Sequence, residues 1–192
     1  MQRPTKEEIR ALPMYQGLAL ADIEIIDNEL AATEALKRLS QELCLGFDTE
    51  SKPIFRRDQV SVGPTLIQLA TESSAFLFPT RFPAALAAAQ KLLTSPKIKK
   101  VGFGINEDSK ELRAQFNINI VNTEDLSITL KNLVAEKNRI GARAAVAMVL
   151  KSRLGKGAQK SNWAAYPLKD NQILYAANDA HSAICVKNQL RL

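Results

Sequence analysis

Three short apolar segments that follow one another along the chain restrict the fold more than any other feature. They are residues 43–47, 65–71 and 75–78, and only the polar turn Glu72-Ser73-Ser74 separates the last two. Apolar runs of this length, bounded by polar or turn-forming residues, are typical of buried strands. The sequence therefore predicts three consecutive strands, with Asp48 and Glu50 on or just beyond the end of the first.

Helices and strands alternate after these three strands. The pattern predicts a helix at Pro83–Leu93, a strand at Lys99–Gly104, a helix that opens near Asn106, a strand at Ile118–Val121, and helices after Asp125 that are interrupted at Gly155–Ser161 and Pro167. Two further helices are predicted near residues 5–13 and 27–42. This order is typical of an α/β domain. We expect one domain at residues 43–192, with a helical N-terminal segment at residues 1–42 packed on it.

The charge of the chain is unevenly distributed. Lys and Arg total 26 against 20 Asp and Glu, which gives a net charge of +6. Eight cationic residues and no carboxylate lie between Lys137 and Lys169. Such a stretch can neutralise phosphates and release counterions, which drives non-specific nucleic-acid binding. It can also form a solvated cationic face, and charge alone favours that interpretation.

The expected location follows from what the sequence lacks. No segment approaches the roughly 18 to 20 uninterrupted apolar residues that a membrane span requires. Residues 1–18 have no apolar core of a secretory signal. The two cysteines, Cys44 and Cys185, are too few for a disulfide framework or a four-cysteine zinc site. We therefore expect a cytoplasmic protein.

Four carboxylates lie where a strand or a helix would hold them rigidly. Asp48 and Glu50 are two residues apart in an extended segment, so they point to the same face. Asp108 lies in the first turn of a predicted helix, and Asp179 follows Tyr175 by four residues on one helix face. Two divalent cations about 3.5–4 Å apart can assist the hydrolysis of a phosphodiester, and Mg²⁺ prefers oxygen ligands. Each acid singly also suits a turn or the N-terminal end of a helix, so spacing alone does not show that they converge.

Three segments resemble the motifs of the DEDD superfamily of 3′→5′ exonucleases, in the branch that has tyrosine in the third motif. They are Leu45–Glu50, Lys100–Asp108 and Tyr175–Ala180. They occur in the family's order, with 60 residues from Asp48 to Asp108 and 71 from Asp108 to Asp179. Segments outside the motifs are similar to the ribonuclease D and Werner-syndrome exonuclease branch: Thr65–Ala70, Ser161-Asn162-Trp163, Pro167-Leu168 and Gln172.

The resemblance implies a ribonuclease-H-like fold, in which helices flank a mixed central sheet. It implies a metal-dependent exonuclease that releases nucleoside 5′-monophosphates from the free 3′ end of DNA or RNA. By the same resemblance, Asp48, Glu50 and Asp179 would hold the cation that binds the attacking water. Asp48 would bridge to a second cation supported by Asp108, and Tyr175 would orient the water. Mg²⁺ and Mn²⁺ both suit these oxygen ligands.

Another branch of the superfamily has histidine in the third motif. The single histidine of this chain, His181, follows Asp179 by two residues and does not occupy that place. We interpret His181 as a residue on the helix surface, and we assign the chain to the tyrosine branch by resemblance.

Four residues are expected to bind substrate: Thr49, Gln68, Lys156 and Lys160. Trp163 is expected to pack under the loop before the last helix rather than to stack on a base. The pairs Arg56-Arg57 and Lys99-Lys100 suit phosphate contacts or a solvated surface.

Two alternative functions remain at this stage. A catalytically silent nucleic-acid-binding module would share the fold, although the presence of all four acids and Tyr175 favours an enzyme. A phosphoesterase that acts on short oligonucleotides would share the acids, and a preference for dinucleotides would distinguish it. The sequence leaves the choice between DNA and RNA open, because a metal cluster acts on the phosphate.

Overall fold

The structure is a computed structural model that describes residues 2–53 and 63–190. Its strands are β1 Ile23–Ile25, β2 Cys44–Ser51, β3 Pro64–Ala70, β4 Ala75–Pro79, β5 Lys99–Gly102 and β6 Thr123–Asp125. Its helices are α1 Lys6–Ala11, α2 Glu29–Leu39, α3 Pro83–Leu93, α4 Ile105–Phe116, α5 Leu126–Leu133, α6 Ala142–Leu150 and α7 Asp170–Leu190. In the part of the chain described, no helix is both long enough and apolar enough to cross a membrane.

The strands form one mixed sheet in the order β1-β4-β3-β2-β5-β6. β2, β3 and β4 pair antiparallel, and a short turn joins β3 to β4. The outer strands pair parallel, β1 with β4, β5 with β2 and β6 with β5. Parallel neighbours need crossover connections, and α3 and α4 lie in the connections that lead to β5 and β6.

The two faces of the sheet are covered by different helices. Leu45 and Phe47 of β2 belong to a core cluster with residues of α2 and α3. Leu66 and Ala70 of β3 belong to a second cluster with residues of α7. Side chains of a strand alternate between faces, so Asp48 and Glu50 lie on the α7 face.

The predicted strand at Ile118–Val121 is wrong, since the strand in this region begins at Thr123. Asn117 and Asn122 have positive φ angles of 56° and 52°, which take the backbone out of the extended region on both sides. Ile118 is fully buried in the core, and this burial explains the apolar signal without a strand. The interruption predicted at Gly155–Ser161 and Pro167 is longer in the structure, because residues 151–169, between α6 and α7, contain no helix.

The strand β1 lies within the segment that was predicted to be helical. Its residues pair in parallel register with β4, from Ile23 opposite Ala75 to Ile25 opposite Leu77. Three alternating residues are too short a pattern to stand out in the sequence. The division of the chain at residue 43 stays a prediction, and the structure adds that residues 23–25 contribute a strand to the sheet.

Candidate active site

β2 and α7 approach each other so closely that only glycine fits at one position between them. A Cβ atom on Gly46 would lie 2.0 Å from the carbonyl oxygen of Ala180. The helix therefore crosses directly against the strand. Asp48 and Glu50 are the next residues of β2 on this face, and the crossing brings them beside Asp179 of α7.

The side chains of Asp48, Glu50 and Asp179 form a compact group of carboxylates. One oxygen atom from each residue lies within 4.8 Å of the other two, and all three residues are half-buried. Like charges this close repel, and carboxylate oxygens are the ligands that Mg²⁺ and Mn²⁺ prefer. The donor set therefore fits a divalent cation.

Burial and mutual repulsion shift the titration of this group. Burial, followed by the charges of Asp179, Asp108 and Glu50, raises the pKa of Asp48 well above its ordinary value. Burial, followed by the charges of Asp179 and Asp108, raises the pKa of Glu50 to about 8. Burial raises the pKa of Asp179 to about 6, against the opposing effect of a hydrogen bond from Tyr175. Without a cation, the cluster therefore holds protons near neutral pH.

Tyr175 lies one helical turn before Asp179 and donates a hydrogen bond to its carboxylate. Burial, followed by the charges of Asp179 and Glu50, raises the pKa of the phenol above its ordinary range. The ring lies 6.0 Å from that of Trp163, measured between centroids. Tyr175 therefore keeps its proton and is a hydrogen-bond donor at the edge of the cluster.

Asp108 lies in the first turn of α4, next to this cluster but outside the compact group of three. The hydroxyl of Thr49 donates a hydrogen bond of 2.5 Å to its Oδ1 atom. Burial raises the pKa of Asp108 to about 6, although the hydrogen bond from Thr49 opposes the rise. Nearby, the hydroxyl of Ser51 donates to Glu111 over 2.9 Å. Thr49 thus positions a carboxylate, a role that the sequence did not indicate.

The residues predicted to bind substrate lie in different environments. Lys156 is exposed and lines the cleft above the carboxylates. Lys160 is exposed but is not among the residues that line this cleft. Gln68 is fully buried opposite Asp48 in the sheet, and its amide has no hydrogen-bond partner among the described residues. The substrate contacts of Thr49, Gln68, Lys156 and Lys160 stay predictions.

The cation pairs also differ in their surroundings. Lys100 is fully buried, and its ammonium donates to the carbonyls of Ser95 and Ile98 over 2.8 and 2.7 Å. Burial lowers its pKa to about 8. Lys99 forms an ion pair of 3.4 Å with Glu124. Lys100 is therefore part of the core and is closed to phosphate, and the pair Arg56-Arg57 lies outside the described residues.

His181 is buried, so its interpretation as a surface residue is wrong. The phenol of Tyr15 lies 2.9 Å from its Nδ1 atom, and the carbonyl oxygen of Glu72 lies 2.9 Å from its Nε2 atom. The N-terminal segment covers the side of α7 that the sheet leaves open, and this long-range contact has no local sequence signal. The prediction for Trp163 is confirmed, since it is 2% exposed within the core beside α7.

A cleft of about 760 Å³ opens above the three carboxylates. Phe103 and Tyr175 are the partly exposed aromatic residues among those that line it. Its cationic residues are Arg3, Lys6, Arg10, Arg143 and Lys156. Arg3, Lys6 and Arg10 of the N-terminal segment were not predicted from the sequence, although Lys6 and Arg10 have the i, i+4 spacing of one helix face. The cleft joins a floor of carboxylates to cationic walls, an arrangement suited to a phosphate ester near a metal.

Comparisons with known proteins agree with this geometry. A family model described as 3′-5′ exonuclease matches residues 23–192. The bifunctional 3′-5′ exonuclease/ATP-dependent helicase WRN of Mus musculus is 26% identical over 197 residues. That alignment covers 99% of this chain and 14% of the mouse protein, so the chain spans a small part of that relative's length.

Solved structures share the fold. The Nibbler EXO domain of Aedes aegypti superposes with a TM-score of 0.81 at 21% identity, over 93% of this chain and 90% of that one. The Trypanosoma brucei RNase D complex with RNA U12 superposes with a TM-score of 0.78 at 19% identity, over 96% of this chain and 64% of that one. The predicted ribonuclease-H-like fold, a mixed sheet flanked by helices, is confirmed.

Proposed function

Because the chain belongs to the 3′-5′ exonuclease family, whose model matches residues 23–192, we propose that it hydrolyses nucleic acid from the free 3′ end. The product is a nucleoside 5′-monophosphate, released one at a time. The observation that carries this proposal is the group of three carboxylates within 4.8 Å on the floor of a cation-lined cleft. Exonuclease relatives act on nucleic acid, and one solved relative is a complex with RNA.

The four carboxylates would together hold two divalent cations, Mg²⁺ or Mn²⁺. Asp48, Glu50 and Asp179 would hold one, and Asp48 together with Asp108 would hold the other. When bound, such cations activate water as a nucleophile and stabilise the charge that develops on the phosphate oxygens. The Thr49 hydroxyl holds one oxygen of Asp108 in place. The raised pKa values of the acids imply that cation binding releases protons.

Tyr175 positions the attacking water. A phenol that retains its proton at neutral pH does not act as a general base. Its hydrogen bond to Asp179 holds the hydroxyl at the cluster and uses its one proton, so the phenol oxygen can accept a hydrogen bond from a water molecule. Trp163 packs beside the ring and limits its movement.

The cleft supports a polymeric substrate. Arg143 and Lys156 line the same cleft as the carboxylates, and phosphates that follow one another along a strand suit cations spread along its walls. We also propose a cytoplasmic location, which the free thiols of Cys44 and Cys185 support because reducing compartments keep thiols unpaired.

The proposal is tested with a gel time course on 5′-labelled single-stranded DNA and RNA of equal sequence. Reactions contain Mg²⁺, Mn²⁺ or EDTA, and Asp48→Asn is compared with Glu34→Gln, an exposed acid on α2. We expect a descending ladder that requires metal and Asp48 and persists in Glu34→Gln. A gel shift without a ladder would identify a silent binding module instead. Cleavage of dinucleotides alone would identify a phosphoesterase for short oligonucleotides.

A further inference from the structure

The N-terminal helix α1 presents two cations together on one of its sides. Lys6, Ile9 and Arg10 are spaced three and four residues apart, so they share one side of the helix. The carboxylate of Glu8 accepts from the Thr5 backbone N–H over 2.7 Å, and the Glu8 N–H donates to the Thr5 hydroxyl over 3.2 Å. Glu8 is therefore occupied in the capping box and does not neutralise the cationic face.

The cationic face of α1 lines the cleft of the carboxylates. Arg3, Lys6, Ile9 and Arg10 form what we call the N-terminal wall, and they line the same cleft as Asp48, Glu50 and Asp179. Glu7 and Glu8 are exposed and do not line it. Within the described part of the chain, the three cations of the wall have no ion pair or hydrogen bond through their side chains. They are available to a ligand in the cleft.

The segment after α1 is attached to α7, which carries Asp179, and to the loop that precedes α7. The Arg153 guanidinium donates to the carbonyl of Leu12 over 2.9 Å, and the backbones of Tyr15 and Arg153 are hydrogen-bonded at 3.0 Å. The Leu18 N–H donates to the Asn178 side chain over 2.9 Å, and Asn178 directly precedes Asp179. These contacts attach the residues that follow the N-terminal wall, from Leu12 to Leu18, beside the active site.

A second close approach supports this attachment. A Cβ atom on Gly17 would lie 1.8 Å from the Oδ1 atom of Asn178, so the chain passes directly over α7 at this glycine. Tyr15 adds the contact with His181 one turn further along the same helix. The segment is thus packed along α7 rather than extended into solvent.

We propose that the N-terminal wall binds the phosphodiester backbone of the substrate strand, upstream of the nucleotide that is cleaved. Arg3, Lys6 and Arg10 contact phosphates of a strand whose 3′ end lies at the carboxylates. The wall lies outside residues 23–192, so the family match does not account for it. The proposal rests on the proposed function, and it names strands of several nucleotides, rather than dinucleotides, as the preferred substrate.

The physical basis is electrostatic. The three carboxylates on the floor repel the phosphates of an approaching strand, whereas cations at the wall attract them and release counterions. A long strand reaches both the floor and the wall, but a dinucleotide occupies the floor alone. The wall therefore adds affinity only for strands that are long enough to reach it.

The test compares Lys6→Gln/Arg10→Gln with Lys37→Gln/Lys91→Gln. Both variants lose two exposed cations, but Lys37 and Lys91 lie on α2 and α3, which cover the opposite face of the sheet. Binding of a fluorescent single-stranded 12-mer is measured by anisotropy in EDTA over a range of salt concentrations. Hydrolysis of the 12-mer and of a dinucleotide is measured with Mn²⁺.

We expect the wall variant to bind the 12-mer about two- to thirtyfold more weakly at low salt, since each exposed contact contributes up to about fivefold. Its salt slope should fall by about 1.4, because each phosphate contact with a single strand contributes about 0.7. The ratio of kcat/KM for the 12-mer to that for the dinucleotide should fall, and the control variant should retain the wild-type ratio.

Three outcomes would overturn the proposal: an unchanged salt slope, an equal loss for both substrates, or faster hydrolysis by the wall variant. The last would mean that α1 covers the cleft and inhibits the enzyme. If the wild type hydrolyses neither substrate, the proposed function fails, while the anisotropy measurement still decides whether the wall binds a strand. Thermal unfolding of each variant shows whether the fold is retained.

Discussion

Glu50→Gln is expected to stabilise the metal-free protein while it abolishes hydrolysis. In the folded chain, burial and the charges of Asp179 and Asp108 raise the pKa of Glu50 to about 8 from its ordinary value of 4.5. A carboxyl group with a raised pKa opposes folding once the unfolded chain ionises more readily than the folded one. Glutamine has nearly the same shape and carries no charge, so the variant lacks this unfavourable contribution to the free energy of folding.

The size of the effect follows from this rise. A rise from 4.5 to about 8 corresponds to roughly 5 kcal/mol at a pH above both values. Partial exposure of Glu50 screens its charge, and the buried glutamine amide costs about 1–3 kcal/mol. We expect a net gain of about 1–3 kcal/mol in the free energy of unfolding. For a chain of this size, that gain raises Tm by roughly 2–12 °C.

The stability difference between Glu50→Gln and the wild type depends on pH through the pKa of Glu50. Below about pH 4.5, Glu50 is protonated in both states and the variant has no electrostatic gain in stability. The gain grows as the pH rises from about 4.5 and is complete above about 8. Thermal unfolding in EDTA is therefore measured at pH 5 and pH 8.5 for the wild type, Glu50→Gln and the control Glu34→Gln.

Cation binding should reduce or remove the stability advantage of Glu50→Gln over the wild type. At a Mn²⁺ concentration 100 times its Kd, the wild type gains about 2.7 kcal/mol, whereas the variant lacks one ligand and gains less. A lower Tm for Glu50→Gln at pH 8.5 in EDTA would refute the reasoning, as would an equal gain at both pH values. A similar gain in Glu34→Gln would show that any lost carboxylate has this effect.

Two other substitutions test the water-positioning group and the crossing of β2 with α7. Tyr175→Phe should lower kcat roughly 100-fold through misplacement of the water, while Mn²⁺ still raises Tm; loss of the Mn²⁺ effect would contradict the assigned role. Gly46→Ala places a Cβ 2.0 Å from the Ala180 carbonyl and should lower the free energy of unfolding by about 1–3 kcal/mol or more, seen as a lower Tm and lost hydrolysis. Gly157→Ala, where a Cβ meets nothing within 4 Å, is its control, and equal Tm values for the two variants would exclude the close approach.

Most of the architecture could be predicted because its signals are local. β3, β4 and α3 lie within one residue of their predicted bounds, since short apolar runs and an alanine-rich helical stretch are read over a few neighbouring residues. The strand predicted at Ile118–Val121 failed because apolar burial occurs equally in irregular backbone. The strand β1 was not predicted because three residues are too few to show the alternation of apolar and polar residues that is typical of a strand.

The candidate site could be predicted in its residue types but not in its contacts. Motif spacing identified the candidate site residues Asp48, Glu50, Asp108, Tyr175 and Asp179. It did not indicate that the Thr49 side chain holds Asp108, because that hydrogen bond joins residues 59 positions apart. It also assigned His181 to the surface, since nothing near His181 in the chain indicates that Tyr15 covers it.

The sequence by itself determined which groups are present and which of them share a face. The period of two in a strand places Asp48 and Glu50 on one side, and the period of 3.6 in a helix places Tyr175 above Asp179. Tertiary structure alone decided that these two faces meet, because the meeting depends on Gly46 admitting α7 against the sheet. It also decided that α1 lines the cleft, since contacts between distant segments arise from packing, which local periodicity does not encode.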